Sequence, residues 1–245
     1  MMEFKLEICV DSVESAVNAE KAGAHRNELC SALPEGGITP SQGLIKSVRR
    51  NTGLPVHVLI RPRSGDFCYD DHELDIMKSD IEFCGEAGVD GIVTGILTPD
   101  GSVDIPRCSM LREFAGNLSF TFHRAFDLCI DPIKSLSEII ETGADRILTS
   151  GQAPSALDGI ELLRKLIVKA AGRIVIMPGG KINETNIAAI ATETGAREFH
   201  MSAAKEVLHR GTCSPMTETI NGPGFRRKKA DTDTIQRISD ILKSL

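Results

Sequence analysis

The chain has 245 residues, 41% hydrophobic and 25% charged, with a formal net charge of −6. That length suits one closed α/β barrel and is ample to bury a core. The acidic balance and the lack of a basic stripe argue against a nucleic-acid partner, and no apolar run reaches the ~18 residues that span a membrane. Met1-Met2-Glu3-Phe4-Lys5 lacks the charged start, apolar middle and cleavage site of a signal peptide, so a cytoplasmic protein is expected. The seven cysteines (Cys9, Cys30, Cys68, Cys84, Cys108, Cys129 and Cys213) form no Cys-x-x-Cys pair. An odd count without that spacing fits free thiols in a reducing compartment better than a disulfide scaffold or a zinc ribbon.

In chain order the pattern predicts strand 5–10, helix 12–22, strand 26–30, helix 41–50, strand 55–61 and helix 71–86. It continues with strand 91–96, helix 105–115, strand 118–124, helix 131–142, strand 146–150 and helix 154–170. It closes with strand 173–177, helix 184–193, strand 197–202 and helix 233–244. Strict strand-then-helix alternation implies parallel strands with helices outside. A weak repeat favours closure into a ring: Gly23, Gly88, Gly143 and Gly195 each end the helix before an even-numbered strand. No Gly-x-Gly-x-x-Gly follows strand one, which weakens the open, dinucleotide-binding alternative. The expectation is therefore a single-domain (β/α)8 TIM barrel over residues 1–245. One long irregular stretch, 204–230, holds Gly211, Gly222, Pro223 and Gly224 and reads as a lid or a plain surface loop. Its basic cluster Arg226-Arg227-Lys228-Lys229 reads as a solvated loop or as a contact for an anion.

Active sites of such barrels form at the C-terminal strand ends. Here those ends are polar: Glu7 and Cys9, Glu28 and Cys30, Arg61 and Arg63, His123 and Arg124, Ser150, then His200 and Ser202. Period-two alternation puts Leu6, Ile8 and Val10 against the helices and turns Glu7, Cys9 and Glu28 inward. Inward charges need partners, and Arg61 and Arg124 are candidates. His123 is a candidate acid/base group because imidazole titrates near neutrality. Gly179 and Gly180, after strand seven, and Ser202 fit either a phosphate cradle or ordinary turns. The repeated Glu-x-Cys sets Cys9 and Cys30 side by side, where they form either a soft-metal pair or two small buried residues.

Taken together, LEICVDS (6–12), ELCSALPEGGITPS (28–41), IRPRSGDFCYDD (60–71), TFHRAFDLCIDP (121–132), RILTSG (146–151), MPGG (177–180) and EFH (198–200) resemble the CutC family over nearly the whole chain. The resemblance implies a cytoplasmic copper homeostasis barrel that self-associates as a homo-oligomer and binds Cu(I) through Cys9 and Cys30 at the C-terminal mouth. Departures occur at His25, Asn27, Ser64, Lys181 and after Ala203. A second reading also follows from the strand ends. A pure metal carrier does not need so many polar groups on one face. An enzyme acting on a small anionic or phosphorylated metabolite would use Glu7, Glu28, Arg61 and His123 for catalysis. Arg63, Asp66, Arg124, Ser150, Gly179, Gly180, His200 and Ser202 would then bind its ligand.

Overall fold

Each βα unit pairs a strand of four to six residues with a helix that starts on a capping side chain in most units. The computed structural model describes residues 4–208 and 226–245. The strands are β1 (Lys5–Val10), β2 (Arg26–Leu29), β3 (Val56–Leu59), β4 (Gly91–Thr94), β5 (Ser119–Phe122), β6 (Arg146–Thr149), β7 (Val175–Pro178) and β8 (Glu198–Met201). The helices are α1 (Val13–Lys21), α2 (Gln42–Asn51), α3 (Asp71–Glu86), α4 (Ile105–Ala115), α5 (Pro132–Glu141), α6 (Ile160–Ala170), α7 (Ile187–Thr194) and α8 (Thr232–Lys243). Ser12, Ser41, Asp104, Asp131 and Asp231 each accept a first-turn N–H, and Asp70 with Glu73 forms a reciprocal capping box.

The eight strands are parallel and pair in chain order, with β8 returning to β1. A single parallel bridge, Gly179 to His200, joins β7 to β8 and completes the ring. The expected TIM barrel is thus what forms. The four repeat glycines all adopt φ between 68° and 83°, the left-handed conformation of helix C-caps. Leu6, Ile8 and Val10 are fully buried in the large apolar layer between strands and helices. The inner face is different. Cys30, Leu59 and Val93, with Cys9 and Leu33, form a small apolar cluster inside.

Three sequence expectations need correction. Helix six begins at Ile160, not 154, because the chain first folds back across the end of β6. A Cβ on Gly159 would lie 2.0 Å from the Ser150 carbonyl oxygen, so only glycine permits this approach. Helix seven begins at Ile187, because Asn183 N–H bonds the Asn186 side chain in a turn over 183–186. The stretch 204–230 is not irregular at its ends. Ala204–Leu208 (β9) and Arg226–Ala230 (β10) pair as antiparallel strands. The basic cluster therefore lies on a strand, and Arg227 and Lys229 both hold Glu14 of α1. Gly211, Gly222, Pro223 and Gly224 lie outside the described residues.

Candidate functional site

Alternation along β1 and β2 sets the first half of the site. The register places Glu7 beside Arg26 and Cys9 beside Glu28. Cys30 follows two residues beyond Glu28 and so faces the same way. Its sulfur lies 3.6 Å from that of Cys9. His200 of β8 lies across from Glu7 and centres the group. Its Nδ1 is 2.7 Å from Glu7 Oε1, and its Nε2 is 3.7 Å from Glu28 Oε2. One ligand atom each of Cys9, Glu28 and His200 falls within 4.8 Å of the others, the spacing of a metal-binding group.

The charges here are set by burial working against neighbours. Burial opposes the Glu7 carboxylate, but Arg26 and His200 outweigh it and hold its pKa well below the usual range. Glu28 has no such excess of cations. Burial dominates, and its pKa is raised. Burial also opposes a charged His200, yet Glu28 and Glu7 outweigh it and raise its pKa. The Cys9 thiol holds its proton strongly, through its contact with Cys30, burial and the charge of Glu28. The result is a carboxylate, an imidazole that favours its proton, and a second carboxyl that shares protons with a thiol.

Deeper in the barrel, toward the N-terminal ends of the strands, a chain of buried ions supports this group. Arg26 donates through Nε to Glu7, and through Nη2 to Glu198 at 2.8 Å. Arg146 reaches the same Glu198 oxygen at 3.2 Å. His57 lies in this layer, and burial lowers its pKa to about 3, leaving it neutral.

The opposite wall is positive. The Arg61 guanidinium donates to the carbonyls of Glu35, Gly37 and Gly65 at 2.8–3.0 Å and has no carboxylate partner among the described residues. It stacks on Phe67 at 4.9 Å, and Phe67 in turn meets the His123 ring at 4.7 Å. His123 Nδ1 accepts the Ala125 N–H at 3.3 Å, so the ring proton sits on Nε2, which is buried without a partner. Burial, with the nearby Arg61 charge, lowers its pKa to about 3. His123 is therefore a neutral hydrogen-bond donor near pH 7. Both walls line one cavity of about 280 Å³, together with Cys9, Glu28, Cys30, His200 and Lys181.

The structure therefore brings together Glu28, Cys9, Cys30, His200, Arg61 and His123, with Arg124, Gly180 and Ser202 at the rim. Glu7 lies beneath His200. The expected partners of the inward carboxylates change. Arg61 and Arg124 do not hold them, because Arg61 is used by loop carbonyls and Arg124 by Asp127 and Ser150. Arg26 holds Glu7 instead, and the alternation that turned Glu28 inward already turned Arg26 inward. Gly179 backs the site from the ring closure. Arg63 and Asp66 pair with each other in the loop after β3, and Arg63 also binds Glu73, so neither lines the cavity. Phe67 had no signal in its local pattern, since its place against Arg61 is set by the loop's path.

Eight parallel strands closed into a ring, with a polar cavity at their C-terminal ends, define a (β/α)8 barrel of the type that carries its site at the strand mouth. The CutC family model matches residues 4–205. A human copper homeostasis protein cutC homolog is 44% identical over 99% of this chain and 90% of its own length. A CutC family protein of Bacteroides thetaiotaomicron is 49% identical over 100% of this chain and 99% of its own. A crystal structure of a CutC protein from Streptococcus agalactiae superposes with TM-score 0.78 at 35% identity, covering 81% of this chain and 98% of that one. The chain belongs to the CutC family. Among the described residues, no helix is long and apolar enough to cross a membrane.

Proposed function

We propose that the protein handles copper in the cytoplasm, taking up Cu(I) between Cys9 and Cys30. The observation that carries this reading is the 3.6 Å separation of the two sulfurs, both free thiols, at the base of an open cavity. The donor chemistry fits the ion. Cu(I) is soft and prefers thiolate sulfur, with imidazole nitrogen as an acceptable neighbour, and His200 is within reach of Cys9. Binding requires thiolates, and the Cys9 thiol holds its proton strongly, so uptake of copper there releases that proton. Glu28 lies beside Cys9 with a raised proton affinity of its own, well placed to take one. Relatives named as copper homeostasis proteins support the same reading. It includes self-association into a homo-oligomer, which sedimentation at several concentrations tests.

The deciding experiment is an anaerobic Cu(I) titration of fully reduced protein against a competing chelator, beside the Cys9→Ser/Cys30→Ser double variant. The reading expects stoichiometric binding in the parent and its loss in the variant. Weak binding, or equal binding in both, overturns it.

A further inference from the structure

The cavity has a second half that copper does not use. Three cations line it: Arg61, Arg124 and Lys181. Of these, only Arg124 has a carboxylate partner among the described residues, Asp127 at 2.7 Å. Arg61 is the unusual one. It is almost fully buried, and a buried cation is ordinarily met by an anion. Its five N–H groups make three bonds, all to neutral carbonyls. The Nε–H is buried with no acceptor. His123 repeats the pattern, since its Nε2–H is also buried without an acceptor, across the Phe67 ring from Arg61. Two unsatisfied donors and an unpaired guanidinium on one wall are rare in a native interior.

The rim adds more donors. Gly180 has φ 107° and Lys181 φ 55°, the latter strained for a residue with a side chain. Among the described residues, the backbone N–H groups of Gly180 and Lys181 make no hydrogen bond. The loop after strand seven is a usual place for oxyanion binding in barrels of this type. The free groups of Arg61, His123, Gly180 and Lys181 are all donors, which suits an oxyanion better than a metal cation.

We propose that this wall, built from Arg61, His123 and the Gly180–Lys181 loop, is a binding site for a small oxyanion, the carboxylate or phosphate group of a metabolite. The site is separate from the thiol pair and stands whether or not the protein takes up copper. The bound anion supplies the charge that Arg61 lacks, in the cavity that Arg61 and His123 both line. Its remaining atoms extend toward Glu28, His200 and the two cysteines, which form the facing wall.

The test uses reduced, copper-free, full-length protein at constant ionic strength. Melting curves and calorimetric titrations are run with inorganic phosphate, with malonate, and with chloride as control. A saturable rise in melting temperature with phosphate or malonate, absent with chloride, is expected. The effective anion identifies the group as phosphate or carboxylate. Lys181→Ala lies at the rim and leaves the fold intact; it is expected to weaken binding about tenfold, the loss of one charge-assisted contact. His123→Phe keeps the ring packing and removes the donor, with a loss of similar size. Arg61→Met removes binding; where that variant does not fold by circular dichroism, the other two decide. Cys9→Ser/Cys30→Ser is expected to bind the anion as the parent does. The proposal is overturned if neither anion acts beyond chloride, if Lys181→Ala and His123→Phe both bind as tightly as the parent, or if the cysteine variant loses the anion.

Discussion

Replacing Arg26 by Met tests the charge logic of the barrel interior. Arg26 is 6% exposed and links Glu7 to Glu198. Methionine keeps most of the volume and removes the cation. Glu198 then retains Arg146, and Glu7 retains only His200. Breaking a buried pair by deleting one partner typically destabilises by about 3–5 kcal/mol, because the remaining charge stays buried. For a chain of this length that lowers the melting temperature by roughly 6–20 °C. The assay is urea unfolding of the reduced, copper-free protein at pH 7 and again at pH 3.5. Glu7 has a folded pKa below its ordinary 4.5, so its stabilisation is present above that value and is lost as pH falls below it. The gap between parent and variant should therefore narrow at pH 3.5. A loss under about 1 kcal/mol at pH 7, or an equal gap at both pH values, would refute the argument that this ion chain holds the site's foundation.

Three further outcomes are expected. Cu(I) affinity should rise with pH, by about tenfold per unit for each thiol deprotonated on binding, and a chelator competition series from pH 6 to 8 measures the slope; a flat profile excludes thiolate ligation. His123 has its pKa lowered to about 3 by burial and Arg61, so below pH 6.5 the unfolded chain gains a proton that the folded one refuses. Stability should then fall by up to about 1.4 kcal/mol per pH unit as pH drops from 6.5 toward 3, and His123→Phe should flatten part of that decline in urea unfolding. His200, with its pKa raised, acts in the opposite sense and loses its contribution as pH rises above 6.5. Gly159→Ala should destabilise by about 1–3 kcal/mol, because its Cβ would strike the Ser150 carbonyl and force apart the packing that seats Ser150 against Arg124; a melting temperature equal to the parent's would show that the loop yields freely.

The barrel was legible because its elements obey simple periods. Apolar alternation in β1 and the recurrent helix-ending glycines are local signals, and the structure keeps both. The inward turn of Glu7, Cys9 and Glu28 followed from the same alternation. What the sequence hid was partner choice. Arg26 pairs with Glu198, 172 residues away, and no local pattern encodes which strand ends share a layer of the ring. Arg61 looked like a carboxylate partner by charge alone. Its loop instead wraps three carbonyls around it, a result of backbone path that residue types do not reveal. The ordinary pKa of imidazole makes His123 an acid/base candidate by residue type, whereas burial makes it a neutral donor. The start of helix six is hidden because 154–159 carries helix-compatible residues, and Gly159 decides the matter only through its contact with Ser150. The ends of 204–230 pair with each other rather than with the ring, so their strand character is visible only once the partner is known.

The ring is laddered along four residue pairs on each side of β1, but it joins β7 to β8 by one bridge. Thermal opening is cheapest where pairing is thinnest. When β7 and β8 part, His200 travels with β1 and keeps its hold on Glu7, while Gly179 and the loop beyond it swing away. The sulfur side is thus the fully laddered part of the mouth, and the side carrying Lys181 is the thinly paired one.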